Sequence, residues 1–336
     1  MIRKNAWLVA VSASLMSVTG FAADPKTTVV VDGIDNPSGL AVQQSTGDIF
    51  VSARSGVHRL ASGAKALQTE VNGFATDIYG KGPKYNIGPL GVGMLGDDHL
   101  VVADGSNPDE KEVVLVMPVA KTAPKTPHTA KDAAFVLGPI KAGKDSAKGE
   151  GNYYGVAVGH HAIYITCNGD DTKGWIAKSE LKDHKPGDLI PFIATKVATN
   201  VDAPVGITFS PDHKHLVVGQ MGEMNVPKDS LLTTYDPADG KLIKKWETGL
   251  HDIAGLAYSP KTKKLYVVDF AWVKTTDGGL YELDLVNDKV TATKILSLDK
   301  PTSLAFGKDG HLYITEFGTS KDDKPAGKII RVDADL

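Results

Sequence analysis

Six times along this chain a Gly-centred apolar stretch is answered, 8 to 10 residues later, by a short β-branched run. The anchors are Gly39, Gly91, Gly155, Gly206 and Gly255, with Ser303 as a variant; the answering runs begin at Ile49, Leu100, Ile163, Leu216, Leu265 and Leu312. Successive anchors lie 52, 64, 51, 49 and 48 residues apart. A period near 50, built of strand signals and turn residues, is what the blades of a propeller leave in a sequence. It predicts an all-β chain of six four-stranded antiparallel blades, and it overrides the two-domain expectation that length alone would give.

Within a repeat the strands follow one another from the axis outward. In the fifth, Ala254 to Tyr258, Lys263 to Val268, Gly278 to Asp284 and Thr293 to Ser297 read as strands a to d. Small residues favour strand a because neighbouring backbones approach closely at the axis. After Ser303 only three strands remain before Leu336. The lone β-branched run Thr27 to Val31 supplies the fourth and closes the ring, which leaves no open sheet edge.

Arg3 and Lys4, the apolar stretch Ala6 to Val18 and the small residues Gly20 and Ala22 read as a secretory leader cleaved after Ala22, leaving residues 23–336 as the propeller. The stretch is shorter than the roughly 20 residues a bilayer span needs. Losing the two cations takes the formal charge from −3 to −5, no footprint for nucleic acid. Cys167 is the one cysteine, so no intrachain disulfide forms. The expectation is a monomeric periplasmic or secreted protein.

Topology sends the b-to-c loops and d-to-a linkers to one face and the short a-to-b hairpins to the other. Long segments crowd the first face, including Asp104 to Lys111, Asn168 to Gly174, Asp269 to Asp277, Glu316 to Ala326 and the linkers Gly73 to Gly88 and Gly138 to Asn152. Long loops on a rigid frame are the default place for function. The candidate ligand-binding residues there are Tyr154, Asp104, Asn168, Phe270, Trp272 and Glu316, loop carboxylates and amides beside aromatic anchors. Ala120 to Asp132, rich in Lys, Pro and Thr, reads as a solvated insertion.

The stretches Val205 to Gly219 (VGITFSPDHKHLVVG) and Asp309 to Gly318 (DGHLYITEFG) resemble NHL repeats and the SMP-30/gluconolactonase-like six-bladed propellers, and the second also resembles the repeats of streptogramin lyases. The resemblance spans nearly the whole mature chain at the level of fold. It implies a divalent cation such as calcium on the axis, held by Glu, Asn and Asp placed just before the anchors. Here those positions are Ser38, Leu90, Tyr154, Val205, Ala254 and Thr302, which cannot supply the roughly six oxygens a hard cation takes. A shifted set of Glu150, Asn152, Asp202 and Asp252 is the candidate metal site, with turn capping as the competing role for such residues. His160, His161, His213 and His215 lie by the short hairpins and do not make a metal site by themselves. No Ser-His-Asp elbow, nucleotide loop or paired-Cys motif is present, and no motif marks a quinone site. The sequence therefore favours a scaffold that binds a protein or small molecule on the long-loop face, with a metal-dependent lactonase-like hydrolase or lyase as the alternative.

Overall fold

The computed structural model describes residues 25–336 apart from 171, 321 and 323; the leader reading of residues 1–22 lies outside the described residues. Six four-stranded antiparallel sheets form a six-bladed β-propeller. The first blade runs Leu40–Gln43, Asp48–Ala53, Gly56–Leu60 and Gln68–Val71, and the third Val156–Val158, Ala162–Cys167, Trp175–Lys182 and Lys185–Ala194. The fifth runs Ile253–Tyr258, Leu265–Asp269, Gly279–Val286 and Lys289–Ser297. Among the described residues the only α-helix is Thr195–Thr199, and none is long and apolar enough to cross a membrane.

Closure occurs as the unpaired N-terminal run predicts. Thr27–Ile34 pairs antiparallel with Gly327–Val332, from Thr27 opposite Val332 to Ile34 opposite Gly327. The last blade thus takes its outer strand from the start of the chain and its inner three from the end.

The anchors explain the packing at the axis. A Cβ on Gly39, Gly91 or Gly155 would overlap the carbonyl oxygen of Leu90, Tyr154 or Val205 in the next blade. Hydroxyls on the second strands stitch the same seams: Ser52 donates to the Leu90 carbonyl, and Thr166 to that of Val205 at 2.8 Å. Those second strands are buried along their whole length at Asp48–Ala53, Ala162–Cys167 and Leu265–Asp269. Covered on both faces, they read as continuous runs rather than alternating ones.

The Lys/Pro/Thr-rich insertion is solvated as expected, with no residue of 120–132 buried, but it is also fastened to the first blade. The Arg59 guanidinium, 1% exposed, donates to the carbonyls of Ala120 and Lys121 at 2.9 and 3.0 Å. His128 exchanges main-chain bonds with Glu70 and Asn72, both 2.9 Å. The segment is fastened along the outer strand of the first blade, Gln68–Val71, while Arg59 from the strand beside it, Gly56–Leu60, takes two of its main-chain carbonyls. Its Lys121 and Lys125 remain exposed.

Candidate functional site: an aromatic chamber on the propeller axis

Tyr154 divides the axis. Its hydroxyl lies 3.4 Å from the Ser38 carbonyl and 3.2 Å from that of Thr302, two blades that do not neighbour its own. Burial pushes the phenol pKa well up. On the short-hairpin side of the ring is an open funnel of about 560 Å³, lined chiefly by inner-strand residues such as Gly155, Gly206 and Leu256 and rimmed by Gln44, His213 and Lys263. On the long-loop side is a narrower, more enclosed chamber with about 40 Å³ of free space.

All six blades reach the chamber. Ser38, Leu90, Val205, Ala254 and Thr302 surround its floor beside Tyr154, the same pre-anchor positions that fail as a cation cage. One wall is aromatic. Phe270 and Trp272 lie 4.8 Å apart, and Phe317 meets Phe270 edge-on at 5.5 Å.

A two-stranded hairpin, Asp77–Tyr79 with Tyr85–Ile87, covers the mouth from the linker between the first two blades. It inserts Tyr85 edge-on against Trp272, Phe317 and Phe270 at 5.3, 5.4 and 5.8 Å. Tyr79 meets Trp272 at 6.0 Å, and Trp272 Nε1 donates to the Pro83 carbonyl at 2.9 Å. Lys81 reaches Glu223 in the fourth blade at 2.9 Å, and Asn36 donates to the Asn86 carbonyl at 2.8 Å. Edge-to-face pairs of this kind add roughly 0.5–1.5 kcal/mol each beyond the area they cover.

Asn152 and Asn168 line the chamber too, and the Oδ1 atom of each is buried without a hydrogen-bond partner. A buried acceptor left unmatched is costly, so two of them beside ring faces are a demand for donors.

The sequence-derived candidates divide cleanly. Tyr154, Asn168, Phe270 and Trp272 line the chamber, as does Asn152 from the metal set. Asp104 does not: it is buried and accepts from Ser106 N and Oγ at 2.9 and 2.6 Å and from Asn107 at 2.8 Å, which fixes its own loop. Glu316 is likewise engaged, by Lys328 at 2.9 Å and by Asp299 N at 2.9 Å. The metal set does not gather. Asp202 is paired with Lys196 at 2.7 Å and caps Ala203 N; Glu150 accepts from Ser146 Oγ at 2.6 Å; Asp252 accepts from Trp272 N at 2.6 Å. Among the described residues no three His, Cys, Asp or Glu side chains converge as metal ligands do. Local turns and ion pairs took these groups, the role Asp and Asn play before strands.

Several buried carboxyls are displaced from ordinary values. Burial raises Asp252 to about 7, with Asp269 and Asp229 adding to the rise against the Trp272 bond; one of its oxygens has no partner. Burial raises Glu150 to about 7 and Glu112 to about 9, the latter with Asp104 and Asp109 close by.

Tyr79 and Tyr85 are the chamber-lining residues the sequence reading missed. The available signal was the pair of tyrosines flanking Gly80-Lys81-Gly82-Pro83 in a linker already conspicuous for its length. Nothing local says that this turn folds inward over the axis.

No family model matches the chain, and no curated protein does. Solved structures do. The soluble aldose sugar dehydrogenase of Escherichia coli superposes with a TM-score of 0.59 at 15% identity, over 91% of this chain and 98% of that one. An oxidoreductase of glucose-dehydrogenase type from Thermus thermophilus gives 0.61 at 16%, over 91% and 99%. A protein described as a gluconolactonase gives 0.56 at 12%, over 93% and 94%. The likeness is one of fold. At these identities the site has to be argued from its own residues.

Proposed function

We propose that this propeller takes a small polyhydroxylated molecule, a sugar or a sugar lactone, into the aromatic chamber. The observation that carries the reading is the pairing of an aromatic wall with the two unpartnered amide oxygens of Asn152 and Asn168. Ring faces accept the C–H face of a pyranose, and amide oxygens accept its hydroxyl hydrogens; apolar walls with a few placed polar groups are how small-molecule sites are built. The free space of about 40 Å³ is near the roughly 30 Å³ share of one water. Ligand therefore enters only when the 77–87 hairpin lifts, and closure over it excludes water. The leader-like first 22 residues support a periplasmic or secreted setting for this activity.

A second reading, that the bound molecule is also turned over, is favoured by Asp252. It is not among the residues that line the chamber, but it holds the main chain of the lining residue Trp272 with one oxygen, has no partner for the other, and is raised by burial to about 7, the range a general base uses. The fold shared with a sugar dehydrogenase and a protein described as a gluconolactonase agrees with that reading. An axial cation has no place in it, because the pre-anchor positions offer no carboxylate.

Titration of the mature protein with monosaccharides and aldonolactones, followed by tryptophan fluorescence and calorimetry, tests the binding. Saturable binding that is weakened in Asn168→Ala and Asn152→Ala supports it. Absence of any response across both ligand classes refutes it. Turnover of a bound ligand, lost in Asp252→Asn with binding retained, would establish the second reading.

A further inference from the structure

The polar atoms of the chamber are unevenly spent. Thr302 Oγ1 donates to the Pro37 carbonyl at 2.6 Å, Trp272 Nε1 to that of Pro83 at 2.9 Å, and the Tyr154 hydroxyl to that of Thr302 at 3.2 Å. These lining donors are engaged by the protein's own main chain. The two lining side-chain atoms left buried without a partner, Asn152 Oδ1 and Asn168 Oδ1, are both acceptors. A guest that only donates suits such walls better than one that must also accept.

The charges around the chamber point the same way. None of its lining residues is charged. Asp252, 1% exposed, stands directly behind the aromatic wall: its carboxylate accepts from Trp272 N at 2.6 Å and its carbonyl from Phe270 N at 2.9 Å. Its second oxygen has no partner, and the charges that act on it come from two more acids, Asp269 and Asp229. The neighbouring base His251 is turned to Asp277 at 3.3 Å, and Lys81 at the mouth is paired with Glu223. In front of this carboxyl the rings of Phe270 and Trp272 lie 4.8 Å apart with their planes inclined at 31°, and Tyr85 and Phe317 line the chamber beside them. Ring faces attract a cation held within about 6 Å of the centroid, most strongly where water is excluded.

We propose that the chamber selects, among polyhydroxylated molecules, those that carry an ammonium group, the amino sugars, over their neutral and anionic counterparts. The ammonium hydrogens go to the idle amide oxygens and its charge to the ring faces, with Asp252 balancing that charge from behind. An ammonium ion has three hydrogens to place, so it does not need the shell of six oxygens that the axis fails to supply to a metal. An anion would meet ring faces, acceptor oxygens and a buried acid, and would find nothing to pair with. The inference rests on the chamber being a sugar site and adds the charge of the guest.

The test titrates the mature chain at about pH 7 by calorimetry with glucosamine hydrochloride, glucose and sodium glucuronate. Glucosamine should bind about tenfold or more tighter than glucose, and glucuronate should not bind. Asp252→Asn keeps an acceptor for Trp272 N but removes the charge behind the wall, and Phe270→Leu removes a ring face; each should lower the ratio of glucosamine to glucose affinity several-fold. If glucose binds and glucosamine binds no tighter, or if glucuronate binds as well as glucose, the charge preference is wrong while the sugar site stands. If none of the three binds, the sugar reading falls and this inference with it. A preference that survives undiminished in both variants also overturns the assignment to these groups. Should Asp252→Asn not fold, Phe270→Leu decides by the same criterion.

Discussion

Tyr85 is the ring that keeps the chamber shut, and removing it gives the sharpest check on the lid. It makes three edge contacts, at 5.3, 5.4 and 5.8 Å, with rings of the fifth and sixth blades. At roughly 0.5–1.5 kcal/mol apiece, and allowing for partial overlap among them, Tyr85→Ala weakens closure by about 2 kcal/mol. A tenfold change corresponds to about 1.4 kcal/mol, so the open population of the hairpin rises roughly 30-fold. Amide hydrogen exchange of residues 77–87 reads that change directly, because exchange there follows local opening. Acrylamide quenching of Trp272, which Tyr85 helps to cover, should rise in parallel. Tyr85→Phe keeps the ring and should keep the protection. If Tyr85→Ala leaves both exchange and quenching as in wild type, the hairpin is held by its strands and by the Lys81–Glu223 and Trp272–Pro83 links, and the lid argument is wrong.

Three further outcomes are expected. Arg59→Met leaves Asp48, now bonded at 2.6 Å, and Glu70 buried without their cation; denaturant unfolding should show a loss of about 3–5 kcal/mol, with new protease cleavage in residues 120–128, and a loss under about 1 kcal/mol would contradict it. Burial raises Glu70 from 4.5 to about 7, against the pull of Arg59, and raises Asp252 from 3.8 to about 7. The folded chain therefore keeps protons that the unfolded chain releases, so the stability these two groups contribute is fully present below about pH 4 and is lost as pH rises to about 7; Tm should decline from pH 5 to 7, less steeply in Asp252→Asn, and a rise over that range would refute the assignment. Cys167, fully buried with its thiol pKa pushed well up, should stay inert to a thiol-specific reagent until the protein unfolds, and stoichiometric labelling of the native protein would show the strand is open.

The blades were legible because their determinants are local. Gly39, Gly91 and Gly155 are required wherever one inner strand runs against the next, and a β-branched run after a tight turn has few ways to fold but as a hairpin. Even the closing strand could be inferred, since a repeat missing one strand and a spare strand at the other end leave a single pairing that removes both edges. The individual aromatics Phe270 and Trp272 were legible as well, as large rings on loops of one face.

What the chamber is made of was a different matter. Trp272 Nε1 bonds a carbonyl 189 residues away, and no pattern within the 73–88 linker specifies that its turn crosses the ring toward the fifth and sixth blades. The same long-range choice fastened the insertion to Arg59. It also sorted the acids: in sequence Asp104, Glu112, Glu150 and Asp252 are alike, carboxylates near strand ends on one face. Only the packed structure gives Asp104 its donors, leaves one oxygen of Asp252 idle, and sets Glu112 close to Asp104 and Asp109. A strand's identity is decided by its own side chains and their alternation. A carboxylate's role is decided by which donors and charges other segments bring to it, and that information exists only once the ring has closed.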